Sequence, residues 1–243
     1  MDVPKTVATA LDDRSVAGKR CLEAGAGVGN ATAGLLANGA DRVYAVTNDR
    51  DHARTTRRRV DEADDSTAGD RLAVLEADLR AVPLPDDSVD VITAHGLCNV
   101  LEPAALSAVA EELSRVAAPG AGLVVDDYDP IPDDAAVGDL FAVENAASEL
   151  ARGRPALTFY PAAFLRRFFA GHGWAFERER TLLKPVPWTE SHVAAHADRA
   201  VAVAADCPGE SGEALAAAAR RLAAEIESES VGRMYGLAFR LPG

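Results

Sequence analysis

The segment CLEAGAGVG at residues 21–29 decides the predicted fold. It places a carboxylate, Glu23, at the end of a predicted strand, and then glycines at alternate positions: Gly25, Gly27 and Gly29. A helix is predicted to begin directly after them. A side chain at these glycines would hold a ligand away from the backbone, so the loop indicates a nucleotide or nucleoside site at the carboxyl edge of a sheet. The alternative is a tight strand-to-helix turn that binds nothing.

The sequence around this loop alternates β-branched runs with Ala- and Leu-rich stretches, which is typical of a doubly wound, mostly parallel α/β sheet. Strands are predicted at Arg20–Ala24, Arg42–Thr47, Leu72–Ala77, Val89–Ala94, Gly122–Asp126, Trp174–Glu179 and Met234–Arg240. Helices are predicted at Asn30–Asn38, Arg50–Asp61, Ala104–Ala117, Ala135–Ala151 and Pro161–Ala170. An Ala- and Glu-rich tract before the last strand predicts a helical insertion.

The composition argues against several classes of protein. No stretch approaches the ~18 uninterrupted apolar residues of a membrane helix. The first residues lack a basic segment followed by an apolar one, so we expect no secretory signal and a cytoplasmic protein. The three cysteines lie far apart, which indicates neither disulfides nor a thiolate metal site.

The charge is strongly acidic, with 38 Asp and Glu against 25 Lys and Arg and a net charge of −13. Nucleic acid is therefore not indicated as a partner, although it is not excluded. Lys5, Lys19 and Lys184 are the only lysines, and the other basic residues are arginines. This balance resembles that of proteins from salt-loving archaea, so we expect a halophilic origin.

Two glycine patterns compete at the loop. A dinucleotide-binding loop has the pattern G-x-G-x-x-G, but Asn30 stands where its third glycine would be. The pattern Glu-x-Gly-x-Gly-x-Gly instead resembles the first motif of class I S-adenosylmethionine-dependent methyltransferases. The resemblance implies a seven-stranded Rossmann-like sheet and S-adenosylmethionine as cofactor, held by Glu23, Gly25, Ala26, Gly27 and Gly29.

The resemblance covers roughly residues 18–179. The segment EADL at residues 76–79 resembles the acidic loop after the third strand of that family. It implies that Asp78 hydrogen-bonds the adenine amine and that Leu79 packs beside the ring. We therefore predict three parts: a cofactor-binding domain at 1–180, a helical insertion or lid at 181–230, and the strand that completes the sheet at 231–243.

One position departs from the family. The family commonly has an acid at the end of the second strand that grips the ribose hydroxyls, whereas this chain has Thr47. Asn48 or Asp49 is a candidate replacement, and either is equally suited to capping the next helix. Cofactor affinity is predicted to be weak if neither replaces the acid.

Catalytic candidates lie at the predicted ends of the fourth and fifth strands. His95 is the first choice as a general base, since imidazole titrates near neutral pH, and it is also a candidate for shaping the cofactor pocket. Asp126 and Tyr128, with Asp127 between them, are candidates for binding a cationic acceptor, and they are equally interpreted as surface residues of an acidic protein. Glu144 and Asn145 are weaker candidates for acceptor contacts.

Two other groups of residues, a pair of histidines and a cluster of arginines, are weaker indications of a functional site. His192 and His196 have helical metal-ligand spacing, but the sequence offers no third ligand, and we predict no metal site. The arginines at residues 54–59 are interpreted as a charged outer helix face.

The sequence therefore predicts methyl transfer to an unidentified acceptor that is most simply a small molecule. A cofactor-binding regulator without transferase activity is the second hypothesis, and Thr47 favours it. An RNA or protein methyltransferase and a nicotinamide-dependent oxidoreductase are further alternatives.

Overall fold

A computed structural model describes residues 2–62 and 68–243. Its central feature is a seven-stranded sheet in the order β3-β2-β1-β4-β5-β9-β6. The strands of this sheet are β1 Arg20–Ala24, β2 Arg42–Thr47, β3 Leu72–Glu76, β4 Val89–His95, β5 Ala117–Tyr128, β6 Ala175–Leu183 and β9 Met234–Arg240. Strands β7 Val186–Trp188 and β8 Glu229–Val231 form a separate antiparallel pair.

Helices connect the strands and cover both faces of the sheet. They are α1 Lys5–Leu11, α2 Asn30–Ala37, α3 Arg50–Asp61, α4 Ala68–Arg71, α5 Leu106–Val116, α6 Ala136–Arg152, α7 Ala162–Gly171, α8 Glu190–Ala204 and α9 Ser211–Ile226. None of the helices within 2–62 and 68–243 is both long and apolar enough to cross a membrane.

Strands β1 to β5 are parallel, and β9 runs antiparallel to both β5 and β6. The predicted doubly wound, mostly parallel seven-stranded sheet is confirmed. Strand order reverses at β1, because the chain first adds strands on one side, β2 and β3, and then places β4 on the other. Ligands of such sheets bind at this switch point, outside the carboxyl ends of the strands.

The fifth strand begins earlier than the sequence predicts. The predicted helix Ala104–Ala117 consists of a 3-10 turn at Pro103–Ala105 followed by α5, and β5 starts at Ala117 rather than Gly122. Pro119 and Gly120 are residue types that usually end a helix or strand, yet here they lie in the exposed beginning of β5. Proline is tolerated there because no ladder hydrogen bond is needed from its nitrogen.

The segment between β6 and β9 holds the ribbon β7–β8 and the helices α8 and α9, which pack against α6. Trp188, Val193 and Met234 belong to the buried cluster that joins these elements to the rest of the molecule. Strand β6 runs to Leu183, past the predicted boundary at residue 180. The division into a domain, an insertion or lid, and a final strand remains a prediction.

Candidate cofactor and acceptor site

The glycine loop between β1 and α2 has the backbone that only glycine adopts without strain. Gly25, Gly27 and Gly29 have φ angles of +74°, +51° and +78°. The amides of Gly25 and Ala26 donate to the carbonyl of Val46 at 3.0 and 2.8 Å, which ties the loop to β2. A β-carbon at Gly27 would meet no atom closer than 3.8 Å, so this position faces open space.

Glu23 is not among the residues that line the cavity in front of the loop, and its contact with a cofactor stays a prediction. It is 2% exposed, and its carboxylate accepts hydrogen bonds from the amides of Ala31 at 3.1 Å and Thr32 at 2.7 Å. The hydroxyl of Thr32 also donates to it. Burial raises the pKa of Glu23 to about 7, although these hydrogen bonds oppose the shift. Glu23 therefore anchors the first turn of α2 to β1.

A first cavity of about 560 Å³ opens in front of the loop at the carboxyl ends of β1 to β4. It brings together most of the residues predicted to bind the cofactor: Gly25, Gly27, Thr47, Asn48, Asp49, Asp78, Leu79 and His95. Ala26 and Gly29 do not line it. Gly29 is buried against Thr56, where an added β-carbon would lie 3.1 Å from a methyl carbon, so this glycine serves close packing of the loop on α3.

The end of β2 lines the cavity without the family's usual acid. Thr47 is buried, and its hydroxyl accepts from the amide of Asp49 at 3.2 Å. One carboxylate oxygen of Asp49 accepts from the amides of Asp51 and His52 at 2.8 and 2.9 Å, and these bonds lower its pKa. Asp49 is thus the N-cap of α3 while it also lines the cavity.

Asp78 lies at the cavity wall but is engaged by a neighbouring arginine. The side chain of Arg80 donates from Nε and Nη2 to both carboxylate oxygens, at 2.6 to 3.1 Å. This pairing lowers the pKa of Asp78 to about 2. Leu79 is 8% exposed and supplies an apolar surface to the same cavity. A ligand that bonds to Asp78 must share that carboxylate with Arg80.

His95 and Asp126 form a hydrogen-bonded pair at the ends of β4 and β5. The two residues are direct partners in the strand register, and Nδ1 of His95 lies 2.9 Å from Oδ2 of Asp126. Burial lowers the pKa of His95, but the bond to Asp126 and the surrounding carboxylates outweigh it and raise the pKa overall. Nε2 is the ring nitrogen left over by this bond.

The other residues at the end of β5 have different surroundings. Asp127 is fully buried, and its carboxylate accepts from the amides of Asn99 at 3.0 Å and Tyr128 at 2.8 Å. The hydrogen bond from Asn99 means that Asp127 holds the loop after β4 in place. Burial raises the pKa of Asp127 to about 7. Burial also raises the pKa of Tyr128 to about 12, and its ring packs on Trp188 at 5.3 Å between centroids.

A second cavity of about 810 Å³ adjoins the first. The two share a wall made of Asp49, His52, His95, Gly96, Val100 and Arg154. The rest of the second cavity comes from the end of β5, from α6 and the segment after it, and from β7 and α8, including Tyr128, Leu157, Phe159 and Trp188. The site therefore has two compartments, and His95 lies at their junction.

The histidines considered for metal binding have other partners. His196 Nδ1 lies 2.6 Å from Glu144, which also accepts from Arg199 Nε at 3.2 Å. His192 Nδ1 caps the start of α8 at the amide of Thr189. Asn145 bonds to the backbone of Ala156 and Leu157 and so shapes the segment after α6. Within the described ranges, no group of three or more potential ligands could hold a metal ion.

Sequence reasoning missed Arg154, Trp188, His52 and Asn99 as cavity residues. Three of them lie on segments with no recognisable motif. Asn99 lies four residues after His95, but nothing in the sequence shows that its side-chain oxygen is buried without a partner. Only His52 has a weak signal in the sequence, since it lies in the first turn after the candidate cap residues Asn48 and Asp49.

Comparison with known proteins agrees with this geometry. Residues 21–120 match the family model described as a methyltransferase domain. A demethylmenaquinone methyltransferase of Clavibacter sepedonicus is 36% identical over 129 residues, which cover 52% of this chain and 49% of that protein. The match thus spans only about half the length of this curated relative. Residues 21–120 are therefore similar to a methyltransferase domain, and the glycine loop lies within the matched segment.

Solved structures show the same fold at low sequence identity. Geranyl diphosphate C-methyltransferase from Streptomyces coelicolor, in complex with Mg²⁺, geranyl diphosphate and S-adenosylhomocysteine, has a TM-score of 0.61 at 15% identity. The superposition covers 97% of this chain and 76% of that one. The cyclase SpnF has a TM-score of 0.64 at 16% identity, covering 97% and 79%. At such identities the likeness establishes the fold alone.

Proposed function

We propose that this protein transfers the methyl group of S-adenosylmethionine to a small molecule bound in the second cavity. The observation that carries the proposal is the pair of adjoining cavities with His95 in their shared wall. The volume of the second cavity falls within the range of ordinary small-molecule sites, roughly 300 to 1,000 Å³. The geranyl diphosphate enzyme is a neighbour in fold whose ligand is also a small molecule.

The residues of the first cavity fit this cofactor. Gly27 leaves the space at the loop open, Leu79 offers an apolar surface for a ring, and Asp78 offers an acceptor for an amine. Asn48 and Asp49 are the polar groups at the end of β2, and we propose that they replace the missing acid toward the ribose. When bound, S-adenosylmethionine supplies an electrophilic methyl group for an in-line displacement. The protein's own contribution is mainly alignment and exclusion of water.

His95 is the proposed general base. Asp126 holds Nδ1, so an acceptor hydroxyl or amine would lose its proton to Nε2 as its heteroatom gains the methyl group. The raised pKa of His95 keeps the ring basic enough to take a proton near neutral pH. Tyr128 lines the second cavity with its proton held firmly, and we propose that it orients the acceptor as a hydrogen-bond donor.

The first experiment is calorimetric titration with S-adenosylmethionine, S-adenosylhomocysteine and NADH. It is done in concentrated salt, because the acidic, lysine-poor composition leads us to propose a halophilic protein. We expect micromolar binding of the first two ligands and none of NADH. Labelled methyl transfer to an acceptor library then follows, with His95→Ala expected to lose turnover at saturating acceptor. Full turnover in His95→Ala would remove the general base from the proposal.

A cofactor-binding protein without transferase activity is the second candidate. Two observations favour it: Thr47 stands at the ribose position, and Arg80 occupies the carboxylate of Asp78. The cyclase SpnF is a neighbour in fold whose name states a reaction other than methyl transfer. Binding of S-adenosylhomocysteine without methyl transfer to any library member would favour this candidate, and absence of all binding would refute both.

A further inference from the structure

Arg154 is an unpaired cation at the junction of the two cavities. It is partly buried in the segment that follows α6 and lines both cavities. Among the residues that the structure describes, no carboxylate oxygen lies within 4.0 Å of its guanidinium, and it takes part in no hydrogen bond. A guanidinium that is partly removed from water without a partner loses solvation and gains nothing in return. The position therefore calls for an anionic ligand.

Other partly buried arginines of this chain differ from Arg154 in having carboxylate partners. The chain has a net charge of −13, and other partly buried arginines are paired: Arg14 with Glu177, Arg178 with Asp13, and Arg233 with Asp129. An arginine of an acidic protein finds a carboxylate easily, so an unpaired one inside a cavity is an exception. Arg154 is this exception, and it lines cavities that a ligand can enter.

The carboxylates that line the second cavity already have hydrogen-bond partners within the protein. Glu144 accepts from Arg199 and pairs with His196, and Asp49 caps α3. These are the acidic residues among those that line this cavity. Arg152, which is exposed, also lines it without a described partner. The unsatisfied charge of the second cavity is therefore positive.

A second, independent observation concerns the aromatic part of the wall, at Trp188. Trp188 is 6% exposed and lines the second cavity, and its indole Nε1 is buried without a hydrogen-bond acceptor. The ring packs against Tyr128 and Phe141, whose centroids lie 5.3 and 5.1 Å away. This part of the wall therefore offers an apolar aromatic surface to a ligand.

We infer that the acceptor is an organic anion, with a carboxylate or phosphate bound by Arg154 and an apolar body against the aromatic wall at Trp188. This inference rests on the proposed function, since it names the substrate class of the same site. Arg154 is a specificity-determining residue in this assignment, and His95 stays the group nearest the reaction.

The rival role for Arg154 is to hold the carboxylate of the cofactor itself, because Arg154 also lines the first cavity. The two roles differ in which ligand is lost when the charge is removed. S-adenosylhomocysteine carries that carboxylate, whereas 5′-methylthioadenosine does not. Comparison of these two ligands therefore separates the roles.

The test measures binding by calorimetry to the wild type, Arg154→Gln and Arg167→Gln. Arg167 is exposed, has no described partner and lines neither cavity, so its variant is a control for the loss of one positive charge. Each protein is saturated with S-adenosylhomocysteine and titrated with benzoate, phenyl phosphate and benzyl alcohol. The anions distinguish a carboxylate site from a phosphate site, and the alcohol has the same apolar body without charge.

We expect the wild type and Arg167→Gln to bind one of the anions at least about tenfold more tightly than benzyl alcohol, as for a charge-assisted hydrogen bond. Arg154→Gln is expected to lose that preference and to bind S-adenosylhomocysteine as before. Retention of the preference in Arg154→Gln, or its absence in the wild type, would overturn the inference. So would weaker binding of S-adenosylhomocysteine, with 5′-methylthioadenosine unchanged, in Arg154→Gln.

Failure of the proposed function gives a different result. If the wild type binds no S-adenosylhomocysteine, the proposed function is refuted and this inference falls with it. Normal binding of S-adenosylhomocysteine without any preference for an anion refutes only the identity of the acceptor.

Discussion

Substitution of Gly27 by aspartate tests the cofactor site most directly. An added β-carbon at Gly27 faces the first cavity, with only the carbonyl oxygen of Gly25 within 4 Å, at 3.8 Å. The side chain therefore fits the folded protein but occupies space that a cofactor needs. Its backbone φ of +51° costs about 1 kcal/mol, and aspartate tolerates this region better than most residues. For a chain of this size, that cost lowers Tm by about 2 to 4 °C.

Gly120→Asp is the matched control. Gly120 has a φ of +80°, no atom within 4 Å of an added β-carbon, and a place in neither cavity. Both variants add one negative charge and the same strain, so their thermal shifts should agree. We expect Gly27→Asp to weaken binding of S-adenosylhomocysteine at least about 100-fold by calorimetry, which corresponds to ~2.7 kcal/mol, while Gly120→Asp binds normally. Equal affinity in the two variants would refute the assignment of the cavity to the cofactor.

Three further predictions concern the charges of the site. Asp126→Asn removes the partner that raises the pKa of His95, so the acid limb of the pH–rate profile should move to lower pH and kcat should fall; an unmoved limb would exclude His95 as the base. Asp78→Asn should weaken S-adenosylhomocysteine binding about tenfold while Arg80→Gln leaves it nearly unchanged; equal losses would mean that the ion pair, not the carboxylate, forms the site. Glu23 keeps its proton to higher pH when folded, since burial raises its pKa to about 7, so its stabilising effect is complete below about 4.5 and is lost as pH rises toward 7. Glu23→Gln should therefore flatten the fall in the free energy of unfolding across this range, by at most about 3 kcal/mol in urea titrations at several pH values, and an unchanged slope would contradict this.

The sequence predicts the sheet well because its signals are local. Strands β1, β2 and β9 have the predicted bounds, since short apolar runs are bounded there by glycine or polar turns. The error at β5 has a physical cause: proline and glycine normally end an element, yet Pro119 and Gly120 lie at an exposed strand end where neither harms the ladder. Antiparallel pairing of β9 depends on contacts across the sheet, which no local pattern reveals.

The position of the first cavity was likewise predictable in outline, because successive strand ends meet at one edge of a parallel sheet. What the sequence could not give is the direction of each side chain. Glu23 looks like a ligand in the motif, but its carboxylate turns under the loop to the amides of α2. Asp49 was an open choice between ribose and helix cap, and the structure shows the cap while leaving the ribose contact a prediction.

The second cavity could not be predicted from the sequence in the same way. Its walls come from α6, the segment after α6, β7 and α8, which lie far apart in the chain and belong to no shared motif. The sheet fixes where a cofactor must lie, whereas these added elements are free to vary without disturbing the strand ends. Neighbours with the same fold but different named reactions, such as SpnF and the geranyl diphosphate enzyme, are consistent with this separation. We therefore expect the specificity of this protein to depend on Arg154, a cation of that wall for which the described residues provide no partner.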